Sequence, residues 1–315
     1  MLQIVVDWFV YSFLGIESKL GESLNFFIYD SVKILLLLFF MILIIGFLRT
    51  YISQQRVKKW LTGRKYGSGN VVASLFGAIT PFCSCSSIPL FLSFLEAGVP
   101  LGVTFSFLIT SPLVNEYLVV IMFSLFGWKI TLAYVISGIL VGVVSGLILG
   151  KLKLEKHLVK DLISSKIKEI KYNNIKSRFN FGLDEAKAIV KKLWLWILIG
   201  VGIGAAIHNY VPAELIQGLI SKGGIFMVPL AVILGVPMYG SCAAIVPIAL
   251  VLFEKGIPIG TALAFMMAVS ALSLPEAIIL RRAMKLKLIG VFFLIVTLGI
   301  IITGYLFNVL SGLLI

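Results

Sequence analysis

Charge is scarce in this chain, and what there is leans one way. Of 315 residues only 13% are charged while 60% are hydrophobic, a balance that excludes an ordinary soluble domain. With two histidines and three cysteines, the chain has few donors for a closed four-ligand zinc site. It has no C-x-x-C pair, which weighs against a dithiol redox motif. No Gly-rich phosphate loop is present, so ATP is not an evident energy source, and nothing suggests a soluble catalytic domain, an enzyme or a bound cofactor. The first residues, MLQIVVDWFVYSFLGI, lack a basic n-region and a small-residue cleavage site, so they do not read as a removable signal peptide. Short for a span and interrupted by Asp7, they are expected to lie at the interface, within an N-terminal segment 1–24.

The basic residues set the topology. A net charge of +13 would suggest nucleic acid in a soluble protein; here its placement points to the membrane surface instead. Arg49–Lys65 holds six basic and no acidic residues, Lys151–Lys192 holds twelve and five, and Arg281–Lys287 holds four basic residues. The positive-inside rule puts these segments, and so loops 50–68, 151–189 and 281–287, in the cytoplasm of an inner-membrane protein. Clear spans are expected over 26–49, 101–122, 130–150, 190–209, 258–280 and 288–309. Two further apolar stretches, 70–95 and 224–252, carry all three cysteines. If each crossed once, giving eight full spans, the twelve-cation loop would fall outside. If each enters and returns on one side, all three basic segments fall inside and Lys19, Lys33, Lys129, Lys222 and Lys255 fall outside.

The same two stretches repeat one another. PFCSCSSIPLFLSFLEAGVP at 81–100 and PMYGSCAAIVPIALVLFEKGIP at 237–258 align with an offset of 158. Pro89 then matches Pro247, Glu96 matches Glu254, Gly98 matches Gly256 and Pro100 matches Pro258; Phe107 matches Phe265 and, after a two-residue slip, Glu116 matches Glu276. The re-entrant topology makes the halves inverted copies, with one hairpin dipping from each side, as in many secondary transporters. The expected fold is therefore an all-α polytopic membrane protein of two inverted-topology repeats. Each repeat has about three spans plus a Pro/Gly-broken re-entrant hairpin. Repeat 1 covers 25–150, a basic cytoplasmic linker with an amphipathic stretch at 155–170 covers 151–189, and repeat 2 covers 190–315. The blander alternative is a Pro-kinked through-helix in each half.

Cys83 and Cys85 sit at one expected hairpin tip and Cys242 at the other. In a regular helix residues i and i+2 point about 200° apart, so Cys83 and Cys85 share a ligand only if the segment is broken. Thiolates suit soft species such as Cu(I), Zn(II) and, by the same logic, trivalent arsenic or antimony, so the three cysteines are candidate metal or metalloid ligands; otherwise they are small apolar fillers. Ser84, Ser86, Ser87 and Ser241 place hydroxyls beside them, either for substrate or to cap freed backbone groups. Asn115-Glu116 interrupts one span and Glu276 the matching one; an intramembrane carboxylate is a proton-coupling candidate, although Glu276 is close enough to Arg281 to pair at the interface instead. Glu96 and Glu254 fall at the hairpin bases, and His157 and His208 are expected to be solvated.

The string Thr80-Pro81-Phe82-Cys83-Ser84-Cys85-Ser86-Ser87, with Pro89 and Gly98-Val99-Pro100 after it, resembles the hallmark of the YraQ/ArsP predicted permease family. Ser111-Pro112-Leu113-Val114-Asn115-Glu116 and Cys242…Pro247…Gly256-Ile257-Pro258 are similar to it as well, and the likeness runs from about residue 25 to 310. It implies an export permease, with members associated with trivalent organoarsenicals and others with copper or zinc. The expected function is thus proton-coupled, alternating-access export of a small thiophilic solute, most simply a trivalent arsenical, with Cu/Zn efflux as the nearest alternative. A transmembrane thiol–disulfide relay and a channel with structural cysteines are alternatives of other classes. Membrane lipid and the solute are the expected partners, and nucleic acid is not one.

Overall fold

The computed structural model describes residues 2–16, 18–51, 67–80, 84–159, 174–210, 218, 224–238, 242–281 and 284–314. The described residues are almost entirely helical. A short α1 (Leu2–Asp7) runs into a π-helical turn, Trp8–Phe13, and is followed by α2 (Lys19–Arg49). Then come α3 (Ser68–Ile79), α4 (Ser84–Glu96), α5 (Leu101–Leu113) and α6 (Glu116–Lys151). The second half has α7 (Ile175–Tyr210), α8 (Met227–Gly235), α9 (Cys242–Glu254), α10 (Ile259–Ala271), α11 (Leu274–Leu280) and α12 (Leu286–Val309), with Ser311–Leu314 as α13. Gly127, at φ 78° and ψ 175°, breaks α6 into 116–126 and 128–151.

The repeat seen in the sequence is a repeat of helices. Adding 158 to the bounds of α4 and α5 gives the bounds of α9 and α10, and segment 128–151 maps onto α12. The faces match too. Ile136, Leu140, Val144 and Ile148 form an exposed stripe in the first half, and Leu294, Leu298, Ile302 and Leu306 form the same stripe in the second. On the buried side, Tyr134, Gly146 and Leu149 correspond to Phe292, Gly304 and Phe307. An apolar exposed stripe opposite a packed one is the pattern of a helix between lipid and protein.

The equivalent helices α2 and α7 pack against each other in opposite directions. Arg178, at the start of α7, donates to the Thr50 carbonyl at 2.7 Å, just past the end of α2, and its guanidinium lies 4.3 Å from the Tyr51 ring centroid. One turn on, a Cβ at Gly182 would lie 2.7 Å from the Leu43 carbonyl, and at the far end Gly202 faces the Phe27 ring. Corresponding helices that run antiparallel are what inverted repeats require.

Among the described residues, four helical segments, 20–44, 116–151, 259–280 and 286–309, are long and apolar enough to cross a membrane. Helices α3, α4, α8 and α9 have 9 to 13 residues, and at 1.5 Å per residue they span at most about 20 Å, well short of a hydrocarbon core of about 30 Å. The turns that follow α4 and α9 are alike. Gly98 (φ 76°) and Gly256 (φ 87°) adopt the left-handed conformation. Val99 N–H bonds the Phe94 carbonyl as Ile257 N–H bonds that of Leu252, forming a Schellman motif in each half. Pro100 and Pro258 then start α5 and α10 with nearly identical angles.

Helices α5 and α10 form the core. All 13 residues of each are buried, and they touch one another at the centre. Each lies against the long helix of its own half through paired glycines: a Cβ on Gly102 would sit 2.6 Å from the Gly146 carbonyl, and Gly260 meets Gly304 in the same way. Backbones this close leave no room for a methyl group. Asn70 ties α3 to α5 by donating to the Gly102 carbonyl (3.0 Å) and the Ser106 hydroxyl (2.9 Å).

Three expectations change. Spans 101–122 and 258–280 are not continuous, because each breaks after 13 residues, at 114–115 and 272–273. The helix expected from 130 is segment 128–151, set off from 116–126 by Gly127, whereas the one expected from 190 starts at Ile175, inside the segment assigned to the linker. Of the amphipathic stretch 155–170, Glu155–His157 is a single 3-10 turn and 160–170 lies outside the described residues. Gly102→Ala and Gly260→Ala are each expected to cost about 1–3 kcal/mol by overpacking, lowering the thermal unfolding midpoint in detergent. Gly290→Ala, with nothing within 4 Å of the new methyl, should not lower it.

Candidate functional site

Two breaks and two short-helix starts define the site. After α5, Val114 (φ −122°, ψ 85°) and Asn115 (φ −105°, ψ 139°) leave the helical region, and α6 begins at Glu116. After α10, Leu272 (φ −131°, ψ 28°) and Ser273 (φ −65°, ψ 144°) do the same before α11. Pro112 in the last turn of α5 and Pro275 in the first turn of α11 explain why the helices do not continue through. Asn115 and Ser273 are equivalent N-caps at the offset of 158. Asn115 Oδ1 accepts the Tyr117 amide at 2.8 Å, whereas Ser273 makes no such bond.

The two carboxylates occupy different places at these equivalent breaks. Glu116 is the first residue of its helix and is exposed. Glu276 is the third residue of α11 and only 2% exposed. Positions one and three of a helix differ by about 200°, so one points away from the protein and the other into it. The two-residue slip in the alignment thus corresponds to opposite helix faces, and Glu276 is buried where Glu116 is exposed.

Contacts between the halves are crossed. The short helix α4 packs against α11, the helix of the other half that carries Glu276, and α9 packs against α6, which carries Glu116. The structure therefore brings the helices of Cys85 and Glu276 together, and likewise those of Cys242 and Glu116. Cys83 and Ser241 lie outside the described residues, and of Ser84, Cys85, Ser86 and Cys242 the backbone alone is described. Ser84 and Cys242 begin α4 and α9 at equivalent positions, so Cys85 and Cys242 both lie in the first turn of their helices. Ser87, one turn into α4, is fully buried. Among the described residues no three His, Cys, Asp or Glu side chains cluster.

Other polar groups near the breaks were not singled out from the sequence. Ser270, two residues before Leu272, is 7% exposed, and its hydroxyl finds no partner among the described residues. Asp30 is a second buried carboxylate, inside α2, with Ser31 beside it. A signal for Asp30 was available, since an ionisable residue within an apolar span is unusual. Serine in a membrane helix carries no such signal.

The model of a predicted permease family, ArsP_1, matches residues 19–309 of this chain. The chain belongs to that family. The matched range runs from the first residue of α2 to the last of α12, so both helical repeats of this ArsP_1 permease fall within it. It is 24% identical over 212 residues to a Streptococcus mutans protein named as a subunit of a two-component membrane permease complex; 66% of this chain and 69% of that protein are covered. It is 23% identical over 316 aligned positions to UPF0718 protein MJ0584 of Methanocaldococcus jannaschii, covering 81% and 86%. No solved structure matches the chain. Family and helices together make this a multi-pass membrane permease.

The asymmetry of the two caps has a measurable consequence. Asn115→Ala removes a side-chain cap and is expected to cost about 0.5–2 kcal/mol. Ser273→Ala removes no cap bond and should cost less, as thermal unfolding of both purified variants would show.

Proposed function

We propose that this permease exports a small thiophilic solute of the trivalent arsenical class by proton-coupled alternating access. The observation that carries the reading is positional: Cys85 and Cys242 fall in the first turns of two equivalent short helices, α4 and α9, each packed against the broken-helix segment of the other half, and Cys83 is two residues before Cys85 in the sequence. Irregular backbone at membrane depth is tolerated only where it is buried or lines a cavity, and broken helices of this kind hold substrates at the midplane of inverted-repeat transporters. Cys83, Cys85 and Cys242 supply soft sulfur ligands from both halves, so a trivalent centre bound by them bridges elements that must separate during transport. The positive ends of α4 and α9 favour anionic ligand atoms there. Ser84, Ser86 and Ser241, neighbours of these cysteines in the sequence, supply hydroxyls to the same solute in this reading.

Glu276 carries the coupling proton in this reading, because it is buried beside the α4 arm. Glu116, exposed at its helix start, is secondary, and Asn115 holds the turn on which it stands. The two short-helix pairs enter from opposite faces as re-entrant hairpins. The protein resides in the cytoplasmic membrane, with the basic loops at 50–68, 151–189 and 281–287 inside.

The test is binding of methylarsenite, arsenite, Cu(I) and Zn(II) to purified protein, beside a variant with Cys83, Cys85 and Cys242 all changed to Ser. Tight arsenical binding that disappears in the variant is the expected result. Tight binding of Cu(I) alone would move the substrate to soft metals, and equal binding by both proteins would end the thiol-site reading. In proteoliposomes, Glu276→Gln should abolish the dependence of transport on a pH gradient while Glu116→Gln retains it.

A further inference from the structure

Each half contains a short helical rod held between two joints. In the first half the rod is 116–126, with the Val114–Asn115 break before it and Gly127 after it. In the second it is α11, with the Leu272–Ser273 break before it and the loop to α12 after it. The leading joints are alike, but the trailing ones are built in opposite ways.

Gly127 is an open joint. Its φ of 78° and ψ of 175° fall in a region that is essentially reserved for glycine. The residue is exposed, and a Cβ added to it would meet nothing within 4 Å. Backbone angle, not packing, therefore requires glycine here. Phe123, Leu125 and Trp128 beside it are exposed as well. The joint is anchored from one side, where the buried Thr131 hydroxyl donates to the Gly127 carbonyl at 2.7 Å. Thr131 belongs to segment 128–151, which is fixed by its glycine contacts with α5 and meets α12 at Gly299. The rod itself buries a single stripe, Leu118 and Met122.

The trailing joint of α11 is closed. Leu158, in the connector that follows α6, forms an antiparallel bridge with Met284, and the His157 carbonyl accepts the Lys285 amide at 2.9 Å. Leu158 and Met284 are buried, as are Leu280 and Leu288 on either side of the joint. The first half thus clamps the joint of the second. Among the described residues no such bridge holds Gly127 in return.

We propose that the bending step of transport takes place at Gly127. Segment 116–126 swings about it, changing the contact of α6 with α9, while α11 keeps its angle to α12. In the topology proposed above, Gly127 lies with Lys129 at the outer face, so the swinging rod gates the exterior half of the path and the clamp keeps the cytoplasmic half rigid. The inference rests on the alternating-access reading and adds which element bends; the cysteine site and the identity of the solute do not enter it.

The test uses the full-length protein in nanodiscs, without solute, with Cys83, Cys85 and Cys242 changed to Ser. Spin labels on new cysteines at Val120 and Ile136 report across Gly127, and labels at Ile278 and Leu294 report across the clamped joint. Double electron–electron resonance should give a broad or two-peaked 120–136 distance distribution and a narrow 278–294 one. Gly127→Ala should disfavour the bent backbone by about tenfold and move the 120–136 distribution toward a straight helix, about 24 Å along the axis. Leu158→Ala should broaden the 278–294 distribution and leave 120–136 unchanged. Equal breadth at the two joints, no shift with Gly127→Ala, or no broadening with Leu158→Ala would overturn the proposal. The parent comparison decides even if a variant fails to fold, and a failure of arsenical binding would leave this measurement untouched.

Discussion

The constraint on which this structure depends is that a backbone in hydrocarbon has no water to bond. A helix can be interrupted there only if other protein closes around the gap. Helices α5 and α10 meet that condition because every residue in them is buried. The burial is achieved by bringing helices closer than ordinary side chains allow, through Gly102 against Gly146 and Gly260 against Gly304. The glycine contacts and the breaks are therefore one design. Close-packed helices on all sides permit the chain to leave helical geometry at Asn115 and Ser273 without exposing its amides and carbonyls to lipid.

The second consequence is mechanical. Equivalent helices run antiparallel, as the α2–α7 contact shows from Arg178 at one end to Gly202 at the other. Each half lends its short arm to the broken segment of the other, α4 against α11 and α9 against α6. A rocking motion of one half against the other would change both crossed contacts together, and this is the coupling that alternating access needs. The repeat is not chemically symmetric, however. Glu276 is buried and Glu116 exposed, and Asn115 caps where Ser273 does not. Such asymmetry lets one fold give its two halves different tasks.

Much of this was legible in the residues. Gly98 and Pro100 against Gly256 and Pro258 announced the repeated turn, because only glycine takes the left-handed position cheaply and proline readily begins the next helix. The helix breaks were harder to read. Ser111-Pro112-Leu113-Val114-Asn115 and Ala271-Leu272-Ser273 are mostly apolar, so hydropathy runs through them unbroken, and Pro112 hides in the final turn it terminates. The start of α7 was missed for the opposite reason: 175–189 is rich in charge and looks like linker, yet it packs on the C-terminal end of α2 through Arg178 and Gly182. Asp30 is legible as a carboxylate in a strongly apolar run, whereas the unequal burial of Glu116 and Glu276 depends on helix phase, which is set by where each break falls.

The most direct test of the account is the sidedness of two equivalent positions. Glu96→Cys and Glu254→Cys, each in a background with Cys83, Cys85 and Cys242 replaced by Ser, would be probed in intact and permeabilised cells with a membrane-impermeant maleimide. Inversion predicts that position 254 labels in intact cells and position 96 only after permeabilisation. Labelling of both from the same face would contradict the inverted arrangement, and with it the paired-hairpin site.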